Sequence, residues 1–369
     1  MKILQLVQKR QLRGAEVFTA QLSTHIDQSG HKAILVFLYP GSEELPFGGT
    51  MAQLDGNIKK RFRDISAWRK LAGIIKKEKP DVIQANAGDT LKYAVFSKII
   101  FRWKQPIIFR NASTISLYIK SRSAIFWNRF FFGYVHTIIS VSNASALDFG
   151  KLYPVFKEKI ITIPIGIEPG KPDDKEPRCI VNDTQPSDTP GPVLIHVGGF
   201  TFEKNHVGLL SIFEIILQQR PDATLHLYGD GPLKGKIETL VAQKGLRSQV
   251  QFYGFQKNVL SEIRKADVLL LPSIIEGLPG VILEAFYCKT PVVAYDVGGI
   301  SEVLINDETG RLTRKGDEQA FANSVLEALS NGEQNNYMVE NAFSLVTTHY
   351  LNTHIASRFM NVYKSLVTV

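Results

Sequence analysis

The chain has few of the features that build disulfide, metal-binding or membrane-spanning structures. Only two of its 369 residues are cysteines, and Cys179 and Cys288 are far apart and match no metal or redox spacing. This scarcity favours a reduced, cytoplasmic protein. No segment approaches the roughly 18 to 20 uninterrupted apolar residues of a membrane-spanning helix. The apolar part of the N-terminus is too short for a signal peptide, so we expect a first strand there.

A common dinucleotide motif is also absent. Residues 1 to 38 have the strand–loop–helix–strand order of a Rossmann-like opening, but they lack G-x-G-x-x-G, so a dinucleotide site is poorly supported. The composition is that of a globular protein, with 44% hydrophobic and 21% charged residues. A chain of this length is long enough for two domains of ordinary size.

Positive charge is concentrated in the first half of the chain. Residues 1–168 contain 25 Lys and Arg against 12 Asp and Glu, a net charge of +13, whereas residues 169–369 contain 18 against 23, a net charge of −5. We therefore expect an anionic partner for the first half, either a membrane surface or a nucleic acid. No RNA-binding or DNA-binding motif accompanies the basic residues, which favours the membrane.

Two segments of this basic half combine aromatic and basic residues. The segment 59–79 is basic and amphipathic and includes Phe62 and Trp68. The segment 118–134 has basic residues among aromatic ones that suit a membrane interface. Burial of several of its aromatic residues in the core is an equally good interpretation. The residues concerned are Lys120, Arg122, Arg129, Phe126, Trp127, Phe130, Phe131 and Phe132.

The stretch 266–304 is the most informative part of the sequence. The apolar run Val268–Leu271 predicts a buried parallel strand, and Val281–Tyr287 predicts a short helix that leads to the next strand. The turn-rich loop between them then lies at the carboxyl end of a strand, where open α/β sheets bind ligands. Glu276 and Glu284 bracket this loop with an E-x7-E spacing.

The chemistry of this loop suits a nucleotide diphosphate. Gly277 and Gly280 allow close approach of the backbone to a ligand, and Pro279 restricts the path of the chain. The N–H groups that open the helix lack partners within it and lie at the positive end of its dipole, so they can hold phosphate. A carboxylate can accept two hydrogen bonds from a vicinal diol such as a ribose. Either glutamate alone is typical of a solvated surface, and the combination is what points to a ligand site.

These motifs resemble those of the retaining glycosyltransferases of family 4, which have the GT-B fold. That fold is α/β, with two Rossmann-like domains facing across a cleft and a C-terminal helix that crosses back to the N-terminal domain. The resemblance covers nearly the whole chain and is strongest from Val193 to Leu312. It implies metal-independent transfer from a nucleotide sugar, UDP-linked or GDP-linked, without a cofactor. The absence of D-x-D from the sequence agrees with this chemistry.

The resemblance also assigns roles by motif position. Glu276 would bind the donor sugar and take part in catalysis, Glu284 would bind the ribose, and Lys204 would stabilise the diphosphate. Asn86 stands at the position of a histidine that contacts the donor sugar near the reacting carbon. Further donor contacts are implied for Gly14, Gly199, Gly229, Gly254, Phe255, Gly277, Leu278, Pro279, Gly280 and Val281.

We expect the acceptor to contact polar residues of the N-terminal domain. Arg13 belongs to the first loop, Asp89 lies three residues after Asn86, and Arg110 and Asn111 follow a strand predicted to end at residue 109. A solvated Arg13 and a loop-capping role for Arg110 and Asn111 are the alternative interpretations.

Two positions depart from the family pattern. Gly199 stands where the family has an arginine that binds the diphosphate, and Gln84-Ala85-Asn86 replaces a His-x-His sequence. If both helpers are altered, then Glu276, Glu284 and the amides between them contribute more of the donor binding than is usual.

The domain organisation follows from composition and spacing. We predict an acceptor-binding domain in residues 1–168, a linker rich in Pro, Asp, Glu and Lys in 169–192, and a nucleotide-sugar-binding domain in 193–354. Residues 355–369 would form the helix that returns to the first domain. Beyond residue 302 we expect helices only.

The sequence thus predicts a retaining glycosyltransferase that acts on a lipid-linked or cell-envelope glycan at the inner face of the cytoplasmic membrane. One alternative is a nucleotide-sugar epimerase of the same fold, which would need general acid and base groups at the sugar. The other is a catalytically weak, sugar-nucleotide-binding partner subunit, which the changes at Gly199 and Asn86 suggest.

Overall fold

The computed structural model of the protein describes residues 1–60, 62–169, 191–256, 258–330 and 332–367. The chain forms two compact units, Met1–Glu168 together with Leu351–Val369, and Pro169–Tyr350. The predicted linker 169–192 lies almost entirely outside the described residues.

The first unit is built around a parallel sheet of seven strands in the order β3-β2-β1-β4-β5-β6-β7. The central strands are buried on both faces because helices cover the sheet on either side. The strands are β1 (Lys2–Lys9), β2 (Lys32–Tyr39), β3 (Thr50–Gln53), β4 (Val82–Ala85), β5 (Ile107–Asn111), β6 (Val135–Ser140) and β7 (Ile160–Thr162). The helices between them are α1 (Gly14–Gln28), α2 (Ile65–Glu78), α3 (Gly88–Phe101), α4 (Arg122–Gly133) and α5 (Asn143–Leu152).

The second unit has a parallel sheet of six strands in the order β10-β9-β8-β11-β12-β13, which is the order of a Rossmann domain. Its strands are β8 (Val193–Val197), β9 (Thr224–Tyr228), β10 (Val250–Gly254), β11 (Val268–Leu271), β12 (Val292–Tyr295) and β13 (Arg311–Thr313). Its helices are α6 (His206–Leu217), α7 (Lys234–Gln243), α8 (Val259–Lys265), α9 (Gly280–Tyr287), α10 (Glu318–Ser330) and α11 (Gly332–His349).

The last helix, α12 (Asn352–Ser365), belongs to the first unit and packs against α1. Ile355, Phe359 and Tyr363 are buried in the apolar core of that unit. Where the chain re-enters the unit, the backbone N–H of Asn352 donates to the carbonyl of Ile167 over 3.0 Å. The two α/β units and the returning helix confirm the predicted GT-B architecture.

Several local predictions need correction. Strands β3 and β13 were not expected, because each has only three or four residues at a sheet edge and therefore no long apolar run. Strand β5 extends through Arg110 and Asn111, which were predicted to lie in the following loop. Glu302 ends a three-residue 3-10 turn instead of opening a helix. Among the described residues, none of the helices has both the length and the apolar character required to cross a bilayer.

Candidate functional site

The site in the second unit lies where the strand order of its sheet reverses. Strands β8 and β11 are neighbours at this point, and the chain leaves them in opposite directions across the sheet, so the loops that follow their carboxyl ends lie together. The loop after β8 contains Lys204, and the loop after β11 contains Glu276. Lys204 Nζ lies 2.6 Å from Glu276 Oε1, and only 21% and 10% of the two side chains are exposed. Two residues predicted separately as site residues are therefore in contact.

Asn205 ties these two loops to each other. Its backbone is left-handed, with φ at 53°, and its side-chain oxygen caps α6 by accepting from the Gly208 amide over 3.3 Å. Its side-chain nitrogen donates to the carbonyl of Pro272, on the loop that leads to Glu276, over 3.1 Å. The sequence analysis missed Asn205, although an asparagine directly before a helical segment is a recognised capping signal.

A second glycine-containing loop supports Glu276 from the side of β12. The backbone of Gly298 has φ at +60°, and a Cβ there would lie 2.0 Å from the carbonyl oxygen of Glu276. The amide of Gly299 donates to the carbonyl of Gly277 over 2.8 Å. Lys315 Nζ also donates to the carbonyl of Ile274 over 2.9 Å. The loop after β11 is therefore fixed at both ends, and only glycine fits at position 298.

The predicted phosphate-binding turn opens directly into α9. Pro279 is extended, with φ at −77° and ψ at 120°, and α9 begins at Gly280. Leu278 and Val281 are buried side chains that anchor the turn, exposed by only 7% and 8%. The backbone N–H groups at the start of α9 therefore belong to a rigid turn, as an anion site requires.

Glu284 lies in the middle of α9, one helical turn after Gly280. Burial raises the pKa of its carboxyl group to about 7, because removal from water disfavours the charged form. A carboxylate with such a pKa gains from a ligand whose hydroxyl groups donate hydrogen bonds to it.

The remaining glycines predicted for donor binding differ in how much space surrounds them. A Cβ at Gly229, where φ is +134°, would lie 2.1 Å from the carbonyl oxygen of Gly198, so the turns after β8 and β9 are in backbone contact. At Gly199 a Cβ would meet only ordinary contacts, at 3.5 Å and beyond. Gly254 has φ at +67° and open space around it. Phe255, directly after it, is 46% exposed.

Two buried histidines lie beneath the loop that contains Lys204. His196 Nδ1 donates to the carbonyl of Leu270 over 2.8 Å, and His206 stacks on Phe200 with ring centroids 4.1 Å apart. Burial, with a smaller contribution from the Lys204 charge, lowers the pKa of His196 to about 4 and that of His206 to about 2. Both rings are therefore neutral at physiological pH, and Lys204 supplies the positive charge of this loop. The sequence analysis assigned neither histidine a role.

In the first unit, Asn86 lies directly after β4, at the point where the strand order of that sheet reverses between β1 and β4. It is buried, and its side-chain nitrogen donates to Gln5 Oε1 over 3.0 Å and to the carbonyl of Leu6 over 3.1 Å. Asp89 opens α3 nearby and is also buried. Its carboxylate pairs with Lys92 Nζ at 3.0 Å and accepts from Tyr39 over 3.4 Å.

The first loop presents Arg13 and Gly14 to solvent at the start of α1. Arg110 and Asn111 are different. Both are only 2% exposed, because β5 extends to residue 111, so their predicted position in a surface loop is wrong. Asn111 donates to Ser140 Oγ and to the carbonyl of Ser145.

The Arg110 guanidinium lies 4.4 Å from the ring centroid of Phe18. Burial lowers the pKa of Arg110 to about 10, and the charge of nearby Glu16 acts in the opposite direction. Burial in turn raises the pKa of Glu16, which accepts from Gln11 over 2.9 Å. These residues support the first loop from below.

Two family models match most of the chain between them. The model described as Glycosyltransferase Family 4 matches residues 12–171, and the model described as Glycosyl transferases group 1 matches residues 182–345. One relative is the N-acetyl-alpha-D-glucosaminyl L-malate synthase of Bacillus anthracis, 33% identical over 171 residues, which are 46% of this chain and 45% of the relative. The match thus spans about half the length of that curated relative.

Solved structures resemble the chain over its whole length. HepE of Anabaena, solved with UDP and glucose, has a TM-score of 0.83 at 20% identity and covers 99% of this chain and 100% of its own. The lipopolysaccharide outer core galactosyltransferase WaaB has a TM-score of 0.72 at 18% identity, with 99% of both chains covered. At such identities these likenesses show the fold. Taken with the two family models, they establish that the chain belongs to the group 1 glycosyltransferases of the GT-B fold.

Proposed function

We propose that this protein transfers a glycosyl group from a nucleotide-diphosphate sugar to a hydroxyl group of a lipid-linked or cell-envelope glycan, with retention of anomeric configuration. The observation that carries this proposal is the contact between Lys204 and Glu276 at the switch point of the second sheet. A cation for the diphosphate and a carboxylate for sugar hydroxyls then lie side by side, next to the first amides of α9.

The chain's own groups are suited to stabilising the leaving diphosphate. Lys204 Nζ and the backbone amides of Leu278 to Val281 would neutralise the charge that develops as the bond from the anomeric carbon to the phosphate oxygen breaks. Glu276 would accept hydrogen bonds from the donor sugar and orient it. The acceptor hydroxyl would attack from the same face, and a phosphate oxygen would take its proton. This route needs neither a metal ion nor a cofactor.

The donor base and sugar are proposed by similarity. HepE was solved with UDP and glucose, so UDP-glucose is the first probe, and GDP- and ADP-sugars follow. Glu284 would receive the ribose hydroxyls, and Phe255, with Gly254, would lie against the base. In the first unit, we propose that the exposed Arg13 and Gly14 contact either the acceptor or the phosphates of the donor.

The test of this function is the substitution Glu276→Ala. We expect turnover of the nucleotide sugar to be lost while the melting temperature and UDP binding persist. Glu340→Ala is the matched control, because Glu340 also pairs with a lysine at 2.6 Å but is 63% exposed. Full transfer activity in Glu276→Ala contradicts the assignment.

The two alternative functions, an epimerase and a sugar-nucleotide-binding partner subunit, would give different results in the same assay. An epimerase converts the donor when no acceptor is present, whereas a transferase needs one. A sugar-nucleotide-binding partner subunit binds UDP and shows no turnover even with native acceptor extracts. The altered positions Gly199 and Asn86 are the observation that favours the latter.

A lipid-linked acceptor is supported by an exposed aromatic surface on the first unit. It consists of Phe62, Phe126, Trp127 and Phe130, exposed by 49%, 68%, 54% and 39%. The half-buried ring of Phe96 connects its two parts, since it lies between Phe62 and the buried Phe131, with centroids 6.5 and 5.2 Å away. Phe131 and Phe132 belong to the core, so the core interpretation is confirmed for these two, and the exposed Phe126, Trp127 and Phe130 are the ones proposed for the interface.

Basic side chains accompany the aromatic surface. Arg122 and Arg129 on α4 are exposed, as are Lys59, Lys60 and Arg63 beside Phe62. Exposed aromatics together with cations suit the interface of an anionic bilayer. We therefore place the protein on the inner face of the cytoplasmic membrane, as a peripheral protein.

This placement is tested with vesicles that contain anionic phospholipid. We expect binding at low salt that weakens as salt rises, with a blue shift of Trp127 fluorescence. Trp127→Ala should reduce binding, and Tyr337→Ala, at a 58% exposed position of the second unit, should not. The Bacillus anthracis relative is named for a malate acceptor, so absence of vesicle binding at low salt would favour a soluble acceptor here.

A further inference from the structure

Four buried side chains of the first unit form a closed ring of hydrogen bonds. Gln5 donates to the Tyr363 hydroxyl over 3.2 Å, and that hydroxyl donates to Gln84 Oε1 over 2.8 Å. Gln84 donates to Asn86 Oδ1 over 2.9 Å, and Asn86 donates to Gln5 Oε1 over 3.0 Å. The ring joins β1, β4 and the last helix, α12, at the point where the strand order reverses. Gln5 and Gln84 are direct partners in the register of β1 and β4.

One backbone carbonyl fixes the orientation of the whole ring. The carbonyl of Leu6 can only accept, so the Asn86 side-chain atom 3.1 Å from it must be the nitrogen. That nitrogen then donates to Gln5 Oε1, which turns the Gln5 nitrogen toward Tyr363. The tyrosine O–H is left to donate to Gln84, and the Gln84 nitrogen donates to Asn86 Oδ1. Burial raises the pKa of Tyr363, so its hydroxyl keeps the proton that this sequence requires.

The hydrogen-bond ring determines which further hydrogen bonds the Asn86 side chain can make with a substrate. Both N–H groups of its side chain are used, by Gln5 Oε1 and by the Leu6 carbonyl. Its Oδ1 accepts one hydrogen bond from Gln84 and has a second lone pair. Asn86 can therefore meet a substrate only as a hydrogen-bond acceptor, for example from a sugar hydroxyl, and not as a donor.

We infer that Tyr363, on the C-terminal helix, is a positioning residue that acts through Gln84 to hold Asn86 Oδ1 as an acceptor for a substrate hydroxyl. This inference rests on the proposed function. It also gives α12 a role besides the packing of Ile355 and Phe359 in the core, because its Tyr363 helps to orient Asn86 after β4.

A double-mutant cycle tests the inference. Tyr363→Phe removes the hydroxyl that links Gln5 to Gln84, which opens the hydrogen-bond ring but leaves the aromatic side chain in place. We expect kcat to fall about tenfold with the donor KM little changed, since the two buried hydrogen bonds of the hydroxyl, from Gln5 and to Gln84, are lost. In an Asn86→Ala background the same change should lower kcat by less than about twofold, because its target is gone. If instead the fold-decreases in kcat from Tyr363→Phe and Asn86→Ala multiply in the double mutant, Tyr363 acts only through stability. That result would overturn the inference.

Tyr153→Phe is the matched control. Tyr153 is as deeply buried in the same unit, and its hydroxyl has no hydrogen-bond partner among the described residues. Its loss should leave kcat unchanged.

The same cycle in urea unfolding needs no substrate and separates the two possible failures. An inactive wild-type protein contradicts the proposed function. Additive unfolding free energies for Tyr363→Phe and Asn86→Ala contradict the ring itself.

Discussion

Lys204 and Glu276 lie 72 positions apart in the chain and meet at 2.6 Å. The contact depends on three hydrogen-bonded supports, from Asn205, Gly299 and Lys315, that fix the loops on either side. Lys204 therefore faces a carboxylate on a loop whose backbone is held by hydrogen bonds. This arrangement makes Lys204 the first residue to test for donor binding.

Replacing Lys204 by methionine should weaken UDP binding by about 10- to 100-fold, the worth of one charge-assisted hydrogen bond. Isothermal titration with UDP measures the change. Lys289→Met is the control, because Lys289 pairs with Glu340 at the same 2.6 Å distance on an exposed surface. Equal affinities for Lys204→Met and wild type would remove Lys204 from the site.

Restoring an arginine at position 199 should strengthen donor binding. The backbone there has room for a side chain, since a Cβ would lie 3.5 Å from the Asp230 carbonyl oxygen and 3.8 Å from Thr201 Cγ2. We expect Gly199→Arg to raise UDP affinity about threefold to tenfold, because a second cation joins Lys204. Gly199→Ala tests the space without the charge and should leave both affinity and melting temperature unchanged. Weaker UDP binding by Gly199→Arg would show that another group already serves as the second cation for the diphosphate.

Donor binding should depend on pH through Glu284. Its pKa of about 7 lies above the ordinary value of 4.5, so the carboxyl group is protonated below about pH 7 when no ligand is bound. Hydroxyl donors favour the charged form. UDP-glucose affinity should therefore rise with pH up to about 7, by at most about tenfold per unit, and then level off.

UDP-glucose is the suitable probe for this experiment because its phosphates do not titrate in this range. Glu284→Gln should bind more weakly and show a flat profile between pH 5.5 and 8. The same shift predicts that the unliganded protein loses stability as pH rises from about 4.5 to 7, since the folded state holds a proton that the unfolded chain has released. An unchanged profile in Glu284→Gln would assign the pH dependence to another group.

Gly298→Ala should disturb the Glu276 loop without touching a ligand. Alanine is strained at φ +60°, and its Cβ would lie 2.0 Å from the Glu276 carbonyl oxygen. We expect the free energy of unfolding to fall by at least about 1 to 3 kcal/mol and UDP-glucose binding to weaken. Gly235→Ala, in α7 and with open space around it, should stabilise the protein slightly. Wild-type binding by Gly298→Ala would show that the loop is held by other contacts.

The second unit was the easier one to predict from sequence, for a physical reason. Its inner strands β11 and β12 are continuous apolar runs and its turns contain glycines that nothing else can replace, such as Gly229 and Gly298, so local signals and tertiary structure agree there. The position of Glu276 after a buried strand was predicted from the same pattern, whereas its contact with Lys204 was not.

The first unit was harder because its polar residues are internal. Arg110, Asn111 and Asn86 have the composition of a loop, yet tertiary partners hold them inside the sheet. The hydrogen-bond ring that holds Asn86 is closed by Tyr363, which donates to Gln84 from 279 positions away, and no local pattern predicts such a pairing. The short edge strands β3 and β13 were missed for lack of apolar length.

The return of α12 to the first unit has a consequence for how the protein is made. During synthesis the first 168 residues leave the ribosome before Phe359 and Tyr363, so that unit cannot complete its core until α12 has also been made. A chimera that exchanges the first unit must therefore transplant two separate pieces of sequence, residues 1–168 and α12. If the first half alone were exchanged, the incoming strands β1 and β4 would face Tyr363 of this chain and not the residue of their own last helix.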